Sequence, residues 1–336
     1  YGGMLKDGVG GVDGLDSASG LTLSADGKHA YVTGIEDFAV SWYERNASTG
    51  ALTYGGTLKD GVGGVDGLDG ASSVTLSADG AHAYVAGHAG DAVSWYERNA
   101  STGALTYGGM LKDGVDGVDG LNSPSSVTLS ADGSHAYVAG DYDLAVSWYE
   151  RNANTGALTY GGVLKDGVDG VDGLNKPQSV TVSADGNHAY VTGFDDDSVS
   201  WYERNASTGA LSYLGMLKDG VNSADGLNGA KNVKLSADGK HAYVAAELED
   251  AVSWYERNAS TGALTFGGVL KDGAHGANGL NGANNVTISS DGKFAYVTGW
   301  SDDEVSWFAR DPVTGDLSYA QTGTSYVLTA TDLGSV

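Results

Sequence analysis

Polar side chains, most of them acidic, recur at every third position in a glycine-rich segment, as Asp113, Asp116, Asp119 and Asn122 and again as Asp166, Asp169, Asp172 and Asn175. Hard cations such as Ca²⁺ take several carboxylate and carbonyl oxygens from flexible backbone, and glycine-rich loops supply them. Asp113, Asp116, Asp119, Asp166, Asp169 and Asp172 are therefore the candidate Ca²⁺ ligands, and Ca²⁺ is the one cofactor these residues suggest. The spacing is not that of an EF-hand loop, which places oxygen ligands at every second position. Asp and Asn also cap turns by accepting nearby backbone N–H groups, so turn chemistry accounts for the same residues.

A second set of chemically varied residues falls in short segments such as 35–38, 88–91, 141–144, 194–197, 247–250 and 300–303. Their acidic and aromatic members, Asp37, Asp91, Asp141, Tyr142, Asp196, Glu247, Glu249, Trp300 and Asp302, suit a recognition surface. Histidine recurs as His29, His82, His135, His188 and His241, with Phe294 in the sixth position. A slot that accepts a plain aromatic reads as structural. His88 and His275 break the pattern. Catalysis needs unlike residues converging in distinct roles. The residues that break the symmetry (His88, His275, Tyr142, Glu247, Glu249 and Trp300) are spread over different copies, and no G-x-S-x-G, H-E-x-x-H or P-loop is present. No catalytic residue is assigned on these grounds. Arg45, Arg98, Arg151, Arg204, Arg257 and Arg310 mostly follow a Glu, which suggests exposed cross-strand charge pairs. Asn46, Asn99, Asn205 and Asn258 lie in N-x-S/T sequons at an expected exposed turn, where glycosylation is chemically open.

The elements that position these residues come from a repeat. Tyr1, Tyr54, Tyr107, Tyr160, Tyr213 and Phe266 open successive copies of 53 residues, and Tyr319 starts a seventh that diverges. Each copy reads as four strands with period-two patterning and Asp-Gly turns, without a sustained helical period. In the first copy the strands are expected at Leu21–Leu23, His29–Thr33, Ala39–Glu44 and Ala51–Thr57. A period of this length with several strands per copy points to propeller blades. The fold class expected is an all-β propeller of four-stranded antiparallel blades, six in number, with seven as the alternative. One domain is expected over 1–322, followed by a tail over 323–336. In a propeller the variable segments and the acidic segments share one face. One tryptophan per copy (Trp42, Trp95, Trp148, Trp201, Trp254, Trp307) is most simply inter-blade core. Fourth-strand sequence occurs seven times against six copies of the other three, so one such strand is surplus and open to pairing with a neighbour.

The residues S-A-D-G-K-H-A-Y-V-T-G at 24–34, then V-S-W-Y-E-R and T-G-A-L-T, resemble the lactonase-like and YVTN families of β-propellers over all six copies. The resemblance implies blade architecture, and it covers both lactonases and non-catalytic surface proteins. A formal charge of −25 repels phosphate backbones, which argues against nucleic acid and anionic membrane as partners. The absence of cysteine removes disulfides and thiolate chemistry. The expected function is a non-catalytic extracellular or cell-surface module for binding or assembly. Its partner would be a protein, a glycan, or another copy paired through the surplus strand. The alternative is a lactonase-type hydrolase related to 6-phosphogluconolactonase-like propellers. Secretion or surface attachment follows from the resemblance and the acidity.

Overall fold

The computed structural model describes residues 2–274 and 276–319. His275, Tyr1 and the expected tail over 323–336 lie outside the described residues. Alternating β-branched and small residues between Asp-Gly and Thr-Gly turns form strands throughout, and the fold is an all-β propeller of six four-stranded antiparallel blades. The blades span 18–59, 71–112, 124–165, 177–218, 230–271 and 283–319. Within the first blade the strands are Ala18–Leu23, His29–Gly34, Ala39–Arg45 and Leu52–Lys59, close to the expected bounds. No described helix is long and apolar enough to cross a membrane. The segment 2–5 forms no strand, whereas Leu317–Tyr319 pairs with Glu304–Arg310 as the last strand of the sixth blade.

The described residues divide into two compact units, one up to 163 and one from 164. In the first unit, Tyr31, Val40 and Trp42 of blade one pack on Leu68, Val74, Val85, Tyr96 and Leu105 of blade two. The second unit repeats the joint with Tyr190, Val199 and Trp201 against Leu227, Val233, Val244, Tyr255 and Leu264. The expectation that tryptophan forms inter-blade core holds at these joints. The indole also explains the paired glycines of the fourth strand. A Cβ on Gly109, whose φ is +149°, would lie 2.6 Å from the Trp95 ring.

The arginines are not surface charge pairs. Arg98, Arg151, Arg257 and Arg310 are buried, and each reaches into the preceding blade. Arg98 donates from Nε to Tyr31 Oη (2.5 Å) and from Nη1 to its own blade's Gly80 carbonyl (2.9 Å). Its Nη2 meets His29 Nδ1 at 2.9 Å. Arg257 does the same with Tyr190, Gly239 and His188, and adds the Asp185 carboxylate at 3.0 Å. Tyr31 in turn donates to the Gly103 carbonyl of blade two. A guanidinium offers five donors in a fixed fork, which lets one side chain satisfy several buried acceptors. The recurring histidines are thus structural. Burial and the adjacent guanidinium both hold His29, His82, His188 and His241 below the ordinary imidazole range.

Candidate functional site

The acidic segments fold on their own backbone. The carboxylates of Asp60, Asp113, Asp166, Asp219 and Asp272 each accept the N–H of a leucine eight residues on: Leu68, Leu121, Leu174, Leu227 and Leu280. A carboxylate from the variable segment joins two from this loop. The resulting trios are Asp7–Asp13–Asp37, Asp113–Asp119–Asp143, Asp166–Asp172–Asp196 and Asp219–Asp225–Glu249, each with one oxygen per residue within 4.8 Å of the others. The structure therefore brings Asp113 and Asp119 together, and Asp166 with Asp172. Asp116 and Asp169 belong to neither trio and occupy positive-φ turn positions.

Lysines reach into at least three of these trios, with Lys218 Nζ 3.7 Å from Asp196 in one of them. Lys59 Nζ lies 2.7 Å from Asp13 and 2.8 Å from Asp37, and Lys271 Nζ lies 2.8 Å from Asp225 and 2.5 Å from Glu249. Hydrogen bonds to Asp225 and Glu249 push the Lys271 ammonium up to about 12. Burial raises the carboxyls of Asp113 and Asp166, with repulsion from Asp143 and Asp196 respectively acting in the same direction.

Most of the expected recognition residues are also committed to loop structure. Asp37, Asp196 and Asp302 accept the N–H groups of Asp16, Asn175 and Asn281, Asp91 accepts that of Ser123, and Glu249 holds Lys271. Asp91 lies in blade two and Ser123 leads into blade three, so this bond ties adjacent blades. The aromatics behave differently, since Tyr142 and Trp300 stand exposed. At the opposite turns, Asn46, Asn99, Asn205 and Asn258 are exposed, and each caps its turn by accepting two backbone N–H groups.

One group was missed because its members lie in different copies. His88, in the loop of blade two, places Nε2 3.8 Å from Asp141 Oδ2 in the loop of blade three, and its ring lies 6.2 Å from that of Tyr142. The imidazole is 40% exposed while the Asp141 side chain is 13% exposed. Asp141 Oδ1 is buried with no hydrogen-bond partner among the described residues. His88 and Asp141 are 53 residues apart, the repeat length itself, so they occupy the same position in successive blades. That equivalence is the signal by which the pair was detectable. In the second unit the same position carries Phe194 and Glu247, bridged by Lys231, whose Nζ is 4.6 Å from the phenyl centroid and 3.1 Å from Glu247. A cavity of about 470 Å³ lies elsewhere, on the face of blade one, and does not include His88.

A model of the lactonase family described as a seven-bladed β-propeller matches residues 20–164, 117–225 and 174–329. The chain belongs to that family. Its described residues hold six blades where the family description has seven. Among solved structures, a putative 6-phosphogluconolactonase from Bacteroides uniformis superposes with a TM-score of 0.73 at 19% identity, covering 91% of this chain and 85% of that one. A putative 6-phosphogluconolactonase from Bacteroides fragilis gives 0.71 at 23% identity over 91% and 84%. The periplasmic gluconolactonase of Pseudomonas aeruginosa gives 0.72 at 20% identity over 89% and 83%. No curated protein matches the sequence. Family membership favours the hydrolase alternative over a non-catalytic module.

Proposed function

We propose that this protein hydrolyses a lactone, with His88 as general base and Asp141 as the residue that orients it. The observation that carries the reading is the His88–Asp141 pair itself. It joins a solvent-accessible imidazole to a mostly buried carboxylate, while the other described histidines are buried in the blades. With Nε2–H directed at Asp141, the neutral tautomer leaves Nδ1 as the proton acceptor. A water that gives its proton to Nδ1 attacks the lactone carbonyl. The tetrahedral intermediate then collapses with cleavage of the ring C–O bond, and the leaving alkoxide takes the proton back from His88, so the base is regenerated. The exposed Tyr142 ring offers a surface beside the imidazole for the sugar ring. A net charge of −25 favours an uncharged aldonolactone over a phosphorylated one.

The test is a pH-stat assay on glucono-1,5-lactone and 6-phosphogluconolactone, corrected for spontaneous opening. His88→Ala is expected to lower kcat/KM by about 10²- to 10⁴-fold, the usual contribution of a positioned general base. Asp141→Asn is expected to cost less and to shift the pH profile. Hydrolysis no faster than buffer, or full activity in His88→Ala, would refute the assignment.

A further inference from the structure

The first strand of blade five, Ala230–Leu235, carries two lysines where the first strands of the other blades carry none. Lys231 is fully engaged, with Nζ 3.1 Å from Glu247, 3.4 Å from Gln178 Oε1 and 4.6 Å from the Phe194 ring centroid. Lys234 is not. Its side chain makes no hydrogen bond or ion pair among the described residues. The other copies place Thr22, Thr75, Thr128, Thr181 and Thr287 at this position. A short neutral hydroxyl therefore meets the needs of the fold, and the amine is an addition to it.

Lys234 is partly buried, and it stands opposite Tyr243 of the second strand. Side chains alternate between sheet faces, so Lys234 points away from Val233 and Leu235, which pack in the joint with blade four. Its own face is the one on which Tyr243 joins Leu280 and Val286 of blade six. Among the described residues no carboxylate comes to it there. The adjoining first strands, Pro177–Val182 and Ala283–Ile288, contain no titratable side chain. In the second strand His241 and Tyr243 are both engaged by Arg310. Two further strands of blade four touch this strand, and their titratable groups are likewise committed. His188 and Tyr190 meet Arg257, Tyr202 meets Ser200, Arg204 donates to the Gly186 carbonyl, and Glu203 is exposed opposite His188. An ammonium withdrawn from water without a counter-charge loses hydration that nothing replaces. Burial accordingly holds Lys234 below the ordinary lysine range, whereas carboxylates push Lys59 and Lys271 above it.

We infer that Lys234 is a nucleophilic amine site that takes a small, uncharged aldehyde as an imine. Lysine amines freed of their proton by burial serve this chemistry in general. The nitrogen lone pair attacks the carbonyl carbon, and a proton passes from nitrogen to the carbonyl oxygen. The resulting carbinolamine expels water and leaves a C=N bond, with no change in oxidation state. Partial burial limits the size of the aldehyde, and a charge of −25 disfavours an anionic one. Lys234 takes no part in the lactone chemistry proposed for His88 and Asp141, and either can stand without the other.

The test treats the full 336-residue chain with glycolaldehyde and cyanoborohydride, which reduces each imine to a stable secondary amine. Peptide mass spectrometry then locates the label. Lys28 and Lys293, each with 68% of the side chain exposed, are the internal references. At about pH 7 Lys234 should outpace both, by roughly tenfold for each pH unit by which burial lowers its titration. Followed from about pH 6 to about pH 10, its labelling should level off at a lower pH than theirs. Lys234→Thr installs the residue of the other five copies, so it should keep the thermal midpoint and circular dichroism of the wild type while losing the fast label. In urea the preference for Lys234 should vanish. Labelling of Lys234 no faster than that of Lys28 and Lys293 overturns the inference. So does a fast label that survives in Lys234→Thr, or a preference that persists in urea.

Discussion

His188 and His88 are the same residue type put to opposite uses. His188 lies in a second strand, buried against Arg257 and Asp185, and its ring helps hold blade five to blade four. His88 lies in a variable loop, half in solvent, with a carboxylate and a tyrosine ring from the next blade beside it. The first environment recurs from blade to blade with nearly identical geometry, and the second occurs once among the described residues. Repetition marks what the fold needs, and departure from it marks where chemistry can sit. Five equivalent histidines repeat one structural role; one displaced histidine gives an inside and an outside to the pair it makes.

The comparison breaks most sharply at the arginine. Arg257→Ala should cost about 2–4 kcal/mol in urea denaturation, because Tyr190, His188 and a backbone carbonyl lose a charged donor while remaining buried. Lysine should not rescue it, since an ammonium lacks the planar fork. His88→Ala should leave the same denaturation curve in place. A reversal of those two outcomes would invert the roles assigned to the two regions.

Acid should sharpen the contrast more gently. The buried histidines have folded pKa values below their ordinary 6.5, so the unfolded chain binds more protons just below that pH. Their contribution is complete above pH 6.5 and is lost as pH falls toward the folded values, so the thermal midpoint should drop from pH 7 to pH 5. His188→Phe, the residue blade six carries at 294, should flatten that slope. Asp113 and Asp166 work in the other direction at lower pH. Their folded pKa values lie above the ordinary 3.8, so the folded chain binds the extra proton and gains stability as pH falls through that window. The smallest effect should come from chelation. With Lys59 and Lys271 already among the carboxylates, EDTA should move the thermal midpoint by no more than about 1 °C, since a bound hard cation would stabilise by mass action. A larger fall would restore Ca²⁺ to the acidic loops.

Local chemistry was the legible part of this sequence. Period-two patterning and Asp-Gly turns placed the strands of blade one within a few residues of where they lie, and one tryptophan per copy marked the joints. Contacts between copies were harder to read. An arginine beside a glutamate looks like a surface pair in one strand, yet Arg98 leaves that neighbour and turns into the blade before it. The third carboxylate of each trio comes from a different loop, about 20 to 30 residues from the other two, so spacing along one loop pointed to Asp116 instead of Asp143. His88 and Asp141 looked scattered for the same reason. In a propeller the nearest chemical neighbour of a loop residue is often its own counterpart one blade on.

The Arg–Tyr–His joint has a consequence for how such a chain grows over generations. Each repeat encodes both sides of the joint, with tyrosine and, in five of the six, histidine on one side and arginine on the other. A tandem duplication of 53 residues therefore arrives with its adhesive surfaces already matched, front and back. Gain or loss of a whole blade needs no second mutation to repair the seam. Blade number can then drift within a lineage while the sequence of each blade stays nearly fixed.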